Sequence, residues 1–342
     1  MNEKAFPACS FRELTDVMET LLCYAKHVLI LTHVNPDGDC IGSAAALCEM
    51  FRACGREASV IVNGPLPHRL AFLTGDQTDF SLADGEEKTA DAILTVDVAS
   101  PMQLGALGRL IPQVTFMIDH HGVGEPFAPG YIDPTASSAG EIVGRLYFEL
   151  KRREMIPAIP AAAAMIYAAI ASDTGSFRFS NTTPDTLRLT ADLVEELRAA
   201  DGVLMPDEIC RLLFEVKTAR ELTAEKIALD GLRFWCDGRI AGVLFTQQML
   251  ADAGLTEEDI GNIVDVPRCV EGVLIALSVR QSAADPTKYK VSSRANAELD
   301  CASVCRSFGG GGHTRAAGCT ITAASAEEAM ETAAAAFSAL IG

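Results

Sequence analysis

The sequence predicts an α/β protein of two lobes, an N-terminal lobe built on a parallel sheet and a smaller C-terminal α/β lobe. Three observations carry that expectation. Short apolar runs alternate with helix-forming stretches over roughly the first 120 residues, the pattern of β-α-β units and hence of a parallel sheet. From Gly231 onward the pattern changes to short strands separated by turns. The 342 residues, 49% of them hydrophobic, supply apolar material for two cores. The expected divisions are residues 10–190 for the first domain, 191–230 for a helical linker and 231–342 for the second domain.

In the first lobe, Phe11, Leu14, Val17, Met18, Leu21, Leu22 and Ala25 recur at helical spacing across 11–27. Val28-Leu29-Ile30-Leu31 reads as a buried strand, Ala44–Ala53 as a helix ended by Gly55, and Ser59-Val60-Ile61-Val62 as the next strand. Two further strands are expected at Ala92–Val96 and Val114–Ile118, and an apolar helix at Ala161–Ala171. No G-x-G-x-x-G fingerprint marks the first strand-to-helix turn, so a dinucleotide fold is not indicated.

The chemistry-bearing residues follow these apolar runs. His33, Asp37 and Asp39 occupy the turn after the first strand, Asp97 ends the Ala92–Val96 run, and Asp119-His120-His121 follows Val114–Ile118. Asp173 comes after the apolar helix. Alone, each Asp reads as a helix cap or turn residue. Adjacent imidazoles at a strand end have little structural purpose, however, and strand ends of a parallel sheet share one edge, where ligands bind. The joint pattern therefore reads as a metal site, and carboxylates mixed with histidine suit Mn²⁺ or Mg²⁺.

In the remainder, Glu195–Arg198 and Glu208–Phe214 are charged and helix-prone. Strands are expected within Ile240–Phe245, Gly272–Arg280 and Tyr289–Arg294, and a helix over Asp300–Phe308. Gly309 to Gly312, followed by His313, read as a loop whose amides can approach an anion because no Cβ intervenes, the bland alternative being a flexible linker. Helix-forming Ala316-Ala317 comes next. Residues 273–319 hold six basic side chains against three acidic ones, in a chain of net charge −18. Positive charge is thus concentrated beside the glycines, while the whole is too acidic for a long nucleic acid that needs a basic groove.

No apolar span of membrane length occurs, and Met1–Phe6 lacks a signal-peptide pattern, so a cytoplasmic protein without a membrane partner is expected. Eleven cysteines, scattered and without a C-x-x-C pair, read as thiols in a reducing compartment.

Together these residues resemble the DHH phosphoesterases. His33/Asp37/Asp39, the lone Asp97, Asp119-His120-His121 and Asp173 stand in that family's order with compatible spacing. Tyr131–Glu141 and Gly175–Thr183 look like the branch that degrades short oligoribonucleotides and adenosine 3′,5′-bisphosphate (pAp), the nanoRNase/pAp phosphatases. Gly309–Gly318 resembles the signature of the family's DHH-associated domain. The resemblance spans about residues 10–320. It implies a metal-dependent hydrolase with a parallel-sheet DHH domain and a smaller α/β DHH-associated domain. Its substrates would be short oligoribonucleotides, cleaved to 5′-mononucleotides, and pAp, cleaved to AMP.

The resemblance further implies two divalent ions, with Mn²⁺ expected and Mg²⁺ the alternative. His33, Asp37 and Asp97 would hold the first; Asp39, Asp97, His120 and Asp173 the second, Asp97 bridging. His121 would face the phosphate as a catalytic group, with Asp119 orienting an imidazole. Arg294, His313 and the amides of Gly310, Gly311 and Gly312 would contact substrate, with Arg280 a further candidate. Two departures stand out. Relatives often carry Asn shortly after the DHH motif where this chain has Gly122-Val123-Gly124, and Cys40 occupies a place usually taken by a small apolar residue. That thiol is either a spectator or a source of sensitivity to oxidation and soft metals. Rival readings are a linear or cyclic dinucleotide phosphodiesterase, an inorganic pyrophosphatase, a RecJ-like exonuclease and a non-catalytic nucleotide sensor. Oligomeric state stays open, a homodimer included.

Overall fold

The computed structural model describes residues 9–63, 66–74, 80–82 and 90–341. The chain divides into two compact units, Met1–Val216 and Lys217–Gly342.

The first unit opens with helix α1 (Phe11–Tyr24), whose Ser10 and Glu13 form a reciprocal capping box. Strand β1 (His27–Leu31), helix α2 (Gly38–Ala53) and strand β2 (Glu57–Val62) then make the first β-α-β unit. Strands β3 (Phe80–Leu82), β4 (Ala92–Val96), β5 (Val114–Asp119) and β6 (Gly130–Ile132) complete a six-stranded sheet of order β3-β2-β1-β4-β5-β6. Every pairing in it is parallel. Helices α3 (Ala139–Arg152), α4 (Pro160–Asp173), α5 (Pro184–Arg198) and α6 (Pro206–Cys210) follow, the last running into a π-helical turn at Arg211–Glu215.

The parallel strands are buried on both faces, so they read as continuous apolar runs. Period-two alternation sends Val28 and Ile30 of β1 into the core formed with α1 to α4, and Leu29 and Leu31 into a second core. The second core is closed by Leu104, Leu107 and Leu110 from a 3-10 segment at Pro101–Gln113. The chain winds outward in both directions from β1 and β4, which makes their junction the topological switch point of the sheet. The carboxyl ends of β1, β4 and β5 flank it, and there the sequence carries His33, Asp97 and Asp119-His120-His121.

The second unit begins with helix α7 (Ala219–Asp230) and continues through β7 (Arg233–Trp235), β8 (Ile240–Phe245), α8 (Gln247–Ala253), α9 (Asp265–Arg268), β9 (Ile275–Gln281) and β10 (Lys288–Ala295). Helix α10 (Cys301–Ser307), strands β11 (Gly311–His313) and β12 (Ala316–Thr322) and helix α11 (Ala326–Ser338) complete it. Its sheet has the order β11-β12-β10-β9-β8-β7 and is mixed, only β8 and β9 being parallel. Helices α10 and α11 cover one face, where Val279, Val291, Cys305 and Phe337 meet. The helices expected over 191–230 are the second half of α5, α6 and α7, and the division after Val216 falls inside that stretch.

Two local expectations are corrected. Ala316-Ala317 opens β12 rather than a helix, because its pairing with β10 and β11 outweighs alanine's local preference. The four glycines do not form a uniform amide cradle: the N–H groups of Gly309 and Gly310 donate to the Arg306 and Cys305 carbonyls and close α10, so Gly310's amide is already engaged. All eleven cysteines are free, and no helix among the described residues is long and apolar enough to cross a membrane.

Helix α2, which carries the first motif, is clamped against α4 through small residues. A Cβ added at Gly42 would stand 2.7 Å from the Met165 carbonyl oxygen and 3.0 Å from the Ala169 Cβ. Gly42→Ala is expected to lower unfolding free energy by about 1–3 kcal/mol through overpacking, read from the denaturant midpoint at unchanged slope.

Candidate metal centre

The first motif is shaped by its own backbone. Asp37 caps α2, its Oδ1 accepting from the Asp39 and Cys40 amides at 3.1 and 3.0 Å. The cap reading and the ligand reading are compatible, because Oδ2 remains available. His33 donates from Nδ1 to the Val34 carbonyl at 2.8 Å in the tautomer that leaves Nε2 as a lone-pair donor. Asn35 and Asp97 both have positive φ, of 54° and 60°. Left-handed backbone is uncommon outside glycine, though Asn and Asp tolerate it best, and such strain collects at functional sites.

Asp97 is the centre of the arrangement. One oxygen, Oδ2, lies 3.4 Å from His33 Nε2, while Oδ1 lies 3.5 Å from His120 Nε2 and 3.6 Å from His121 Nδ1. His120 Nε2 is in turn 3.8 Å from Asp39 Oδ2 and 3.7 Å from Asp173 Oδ2. Asp37 Oδ1 stands 4.0 Å from His33 Nε2. The six residues His33, Asp37, Asp39, Asp97, His120 and Asp173 thus converge as two groups that share Asp97. Donor atoms of Asp39, His120 and Asp173, of Asp97, His120 and His121, and of His33, Cys40 and Asp97 each lie within 4.8 Å of one another. Asp119 is turned to the side, where its Oδ1 accepts from the His120 amide at 2.9 Å and holds His121 Nδ1 at 2.8 Å.

Asp39 is held from a distance in sequence. Its oxygens accept from the Ala139 and Gly140 amides, each at 2.8 Å, and from the Ser43 hydroxyl at 3.2 Å. These amides open α3, so the carboxylate also meets the positive end of that helix. Sequence reasoning missed this support. Ser138 before α3 is a readable cap, but a contact 100 residues away leaves no local signal.

The electrostatics follow from crowding. Burial pushes Asp39 well above its ordinary pKa, and Asp97 and Asp173 push in the same direction. Burial also raises Asp173, with Asp97 and Asp37 adding to it, to about 6. Burial would raise Asp97 too, but the neighbouring imidazoles of His120 and His33 outweigh it and bring it to about 2. Burial disfavours charge on His120, yet Asp97, Asp39 and Asp173 raise its pKa to about 10. Four carboxylates meet two imidazoles; Asp39 and Asp97 are buried while Asp37 and Asp173 are partly exposed, and Asp97 Oδ1 is sealed from solvent with no hydrogen-bond partner. This donor set fits divalent cations, which neutralise the excess negative charge and give that oxygen a partner.

The remaining sequence candidates lie in the second unit. Residues paired across strands share a face, so the register aligns Ala276, Arg294, Ala316 and His313 in one row and Ser278, Ser292, Gly318 and Gly311 in the next. Arg280 and Lys290 follow in a third. The result is a floor of small residues bordered by Arg294, His313 and Arg280. Neither Arg280 nor Arg294 forms a salt bridge among the described residues; their hydrogen bonds go to Gly261 and Ser292, and to Ser293. Burial lowers the pKa of both guanidiniums. Gly312 has φ 137°, and a Cβ there would stand 2.5 Å from the Ala316 carbonyl oxygen, whereas Gly311 faces open space.

The profile of the DHH family's N-terminal domain matches residues 27–170, and that of the DHHA1 domain matches residues 242–341. Over 318 residues the chain is 30% identical to the bifunctional oligoribonuclease and PAP phosphatase NrnA of Thermus thermophilus, covering 92% of this chain and 90% of that one. The chain belongs to the DHH family. This DHH protein is also 25% identical to the Bacillus subtilis protein of the same name, over 90% of this chain and 93% of that one. Among solved structures, an exopolyphosphatase-related protein from Bacteroides fragilis matches with a TM-score of 0.85 at 22% identity, covering 99% of this chain and 98% of that one. That likeness concerns the fold.

The support of Asp39 can be tested without touching a candidate ligand. A Cβ at Gly140 would meet the Ala169 Cβ at 2.5 Å and Asp39 Oδ1 at 3.2 Å. In the DHH protein, Gly140→Ala is expected to weaken Mn²⁺ binding about 10- to 100-fold in titration calorimetry, with the far-ultraviolet circular dichroism of the wild type.

Proposed function

We propose that the protein is a divalent-metal-dependent phosphoesterase that hydrolyses short oligoribonucleotides to 5′-mononucleotides and pAp to AMP. The observation that carries this reading is the pair of carboxylate–imidazole groups sharing buried Asp97 at the switch point of the first sheet. His33, Asp37 and Asp97 would hold one ion, and Asp39, Asp97, His120 and Asp173 the other, with Mn²⁺ expected and Mg²⁺ an alternative. Two such ions supply a nucleophile at neutral pH and offset charge on the phosphate. The names of the Thermus and Bacillus relatives support the substrate class.

The protein's own groups then have distinct tasks. Asp119 fixes the His121 ring through Nδ1 and raises its pKa, so the protonated ring has Nε2–H to donate to a phosphate oxygen or to the departing alkoxide. In the second unit, the guanidinium of Arg294 offers a planar fork to phosphate, and His313 borders the same row. Ala316, Gly318 and Gly311 keep long side chains out of the rows between them, and Gly311 faces open space. Arg280 and the Gly311 and Gly312 amides are further contacts. A net charge of −18 opposes a long polyanion, which supports short substrates held by local positive charge.

The deciding assay supplies Mn²⁺ with a 2-mer, a 5-mer and a 24-mer RNA and pAp in parallel. Turnover of the short RNAs and pAp with the 24-mer spared is the expected result; efficient digestion of the 24-mer would refute the size limit. His120→Ala is expected to abolish turnover in a folded protein, and retained turnover would remove the metal assignment. His121→Ala should keep Mn²⁺ affinity while kcat falls about 100-fold or more. Arg294→Ala should instead raise KM for pAp about tenfold or more at similar kcat, the signature of lost uniform binding.

A further inference from the structure

One donor in the centre has no task in the reaction above. Cys40 stands in the first turn of α2, directly after Asp39, and its side chain is fully buried. Its Sγ lies 3.6 Å from the carbonyl oxygen of Val96, the residue before Asp97. The thiol therefore lies beside the end of the strand that presents the shared carboxylate. The donor atoms of His33, Cys40 and Asp97 lie within 4.8 Å of one another. That spacing is compatible with a common ion, given ligand bonds of about 2.0–2.3 Å. Asp97, only 3% exposed, turns Oδ2 to this side, 3.4 Å from His33 Nε2, while its other oxygen, Oδ1, faces His120 and His121.

We propose that Cys40 Sγ is a direct ligand of the first ion, alongside His33, Asp37 and Asp97. The inference rests on the metal reading given above and adds a donor to it. The two positions then differ in softness. Nitrogen and oxygen alone surround the second, which suits Mn²⁺ or Mg²⁺. The first gains a sulfur and favours Zn²⁺, Co²⁺ or Fe²⁺, with Cd²⁺ the strongest probe. Forming the metal–sulfur bond breaks the S–H bond, releases that proton to solvent and gives up the hydrogen bond to Val96; no electron is transferred.

The test exchanges the resident ions of the full-length protein for Co²⁺ and follows its absorption. A sulfur-to-cobalt charge-transfer band in the near ultraviolet is expected. It should vanish in Cys40→Ala and Cys40→Ser, while the visible ligand-field bands of bound cobalt persist. In competition, the preference of the wild type for Cd²⁺ over Mn²⁺ should exceed that of Cys40→Ala by about tenfold or more. Ligand-field bands without a charge-transfer band in the wild type would overturn sulfur ligation and leave the rest of the centre standing. So would a charge-transfer band that survives in both variants. Failure of the wild type to bind cobalt at all would instead overturn the metal reading itself. If the variants lose cobalt altogether, cadmium-113 resonance of the wild type decides: a thiolate-shifted signal supports the ligand, and a signal typical of nitrogen and oxygen donors alone overturns it.

Discussion

The arrangement of the first unit depends on one electrostatic constraint, the crowding of carboxylates around Asp97, with Asp39 and Asp97 themselves buried. A single buried carboxylate is costly, and neighbours of like charge make it more so. The chain meets the constraint with local donors. Asp37 takes two amides of its own helix, Asp39 takes the first amides of α3, and Asp97 lies between two imidazoles. Each device needs a particular element end at a particular place. The switch point between β1 and β4 supplies three of those ends at once, which is why the sheet order and the site belong to the same argument.

Much of this was legible from the residues. The apolar runs at Ala92–Val96 and Ile240–Phe245 coincide with β4 and β8, because a buried strand bounded by turn residues has a clear pattern. The convergence of His33, Asp97 and the 119–121 motif followed from the rule that parallel strands end on one edge. What the sequence hid were contacts between distant elements. The grip of α3 on Asp39 and the position of Cys40 beside Asp97 depend on how helices dock, and neither residue type nor spacing encodes docking directly.

The glycine run taught a different lesson. As a string, Gly309 to Gly312 resembles an anion cradle, yet a Cβ at Gly310 would stand 2.2 Å from the Gly318 carbonyl oxygen. The requirement there is backbone against backbone where β11 meets β12. Gly311, by contrast, has open space around it and lies in the row of Ser292 and Gly318. Composition marked the right neighbourhood, while register distinguished the glycines demanded by packing from the one that faces outward.

The amide pair that holds Asp39 has a consequence for the life of the protein in a cell. A ligand bound only by the folded chain adds stability by mass action, about 2.7 kcal/mol at a hundred times its dissociation constant. Ions bound as proposed here would relieve repulsion inside the core that α2, α3 and α4 share, so their effect would extend well past the active site. Chains made when divalent metal is scarce would open more often and meet the proteolytic machinery sooner. Metal supply would then set how much of the protein persists as well as how fast each copy works.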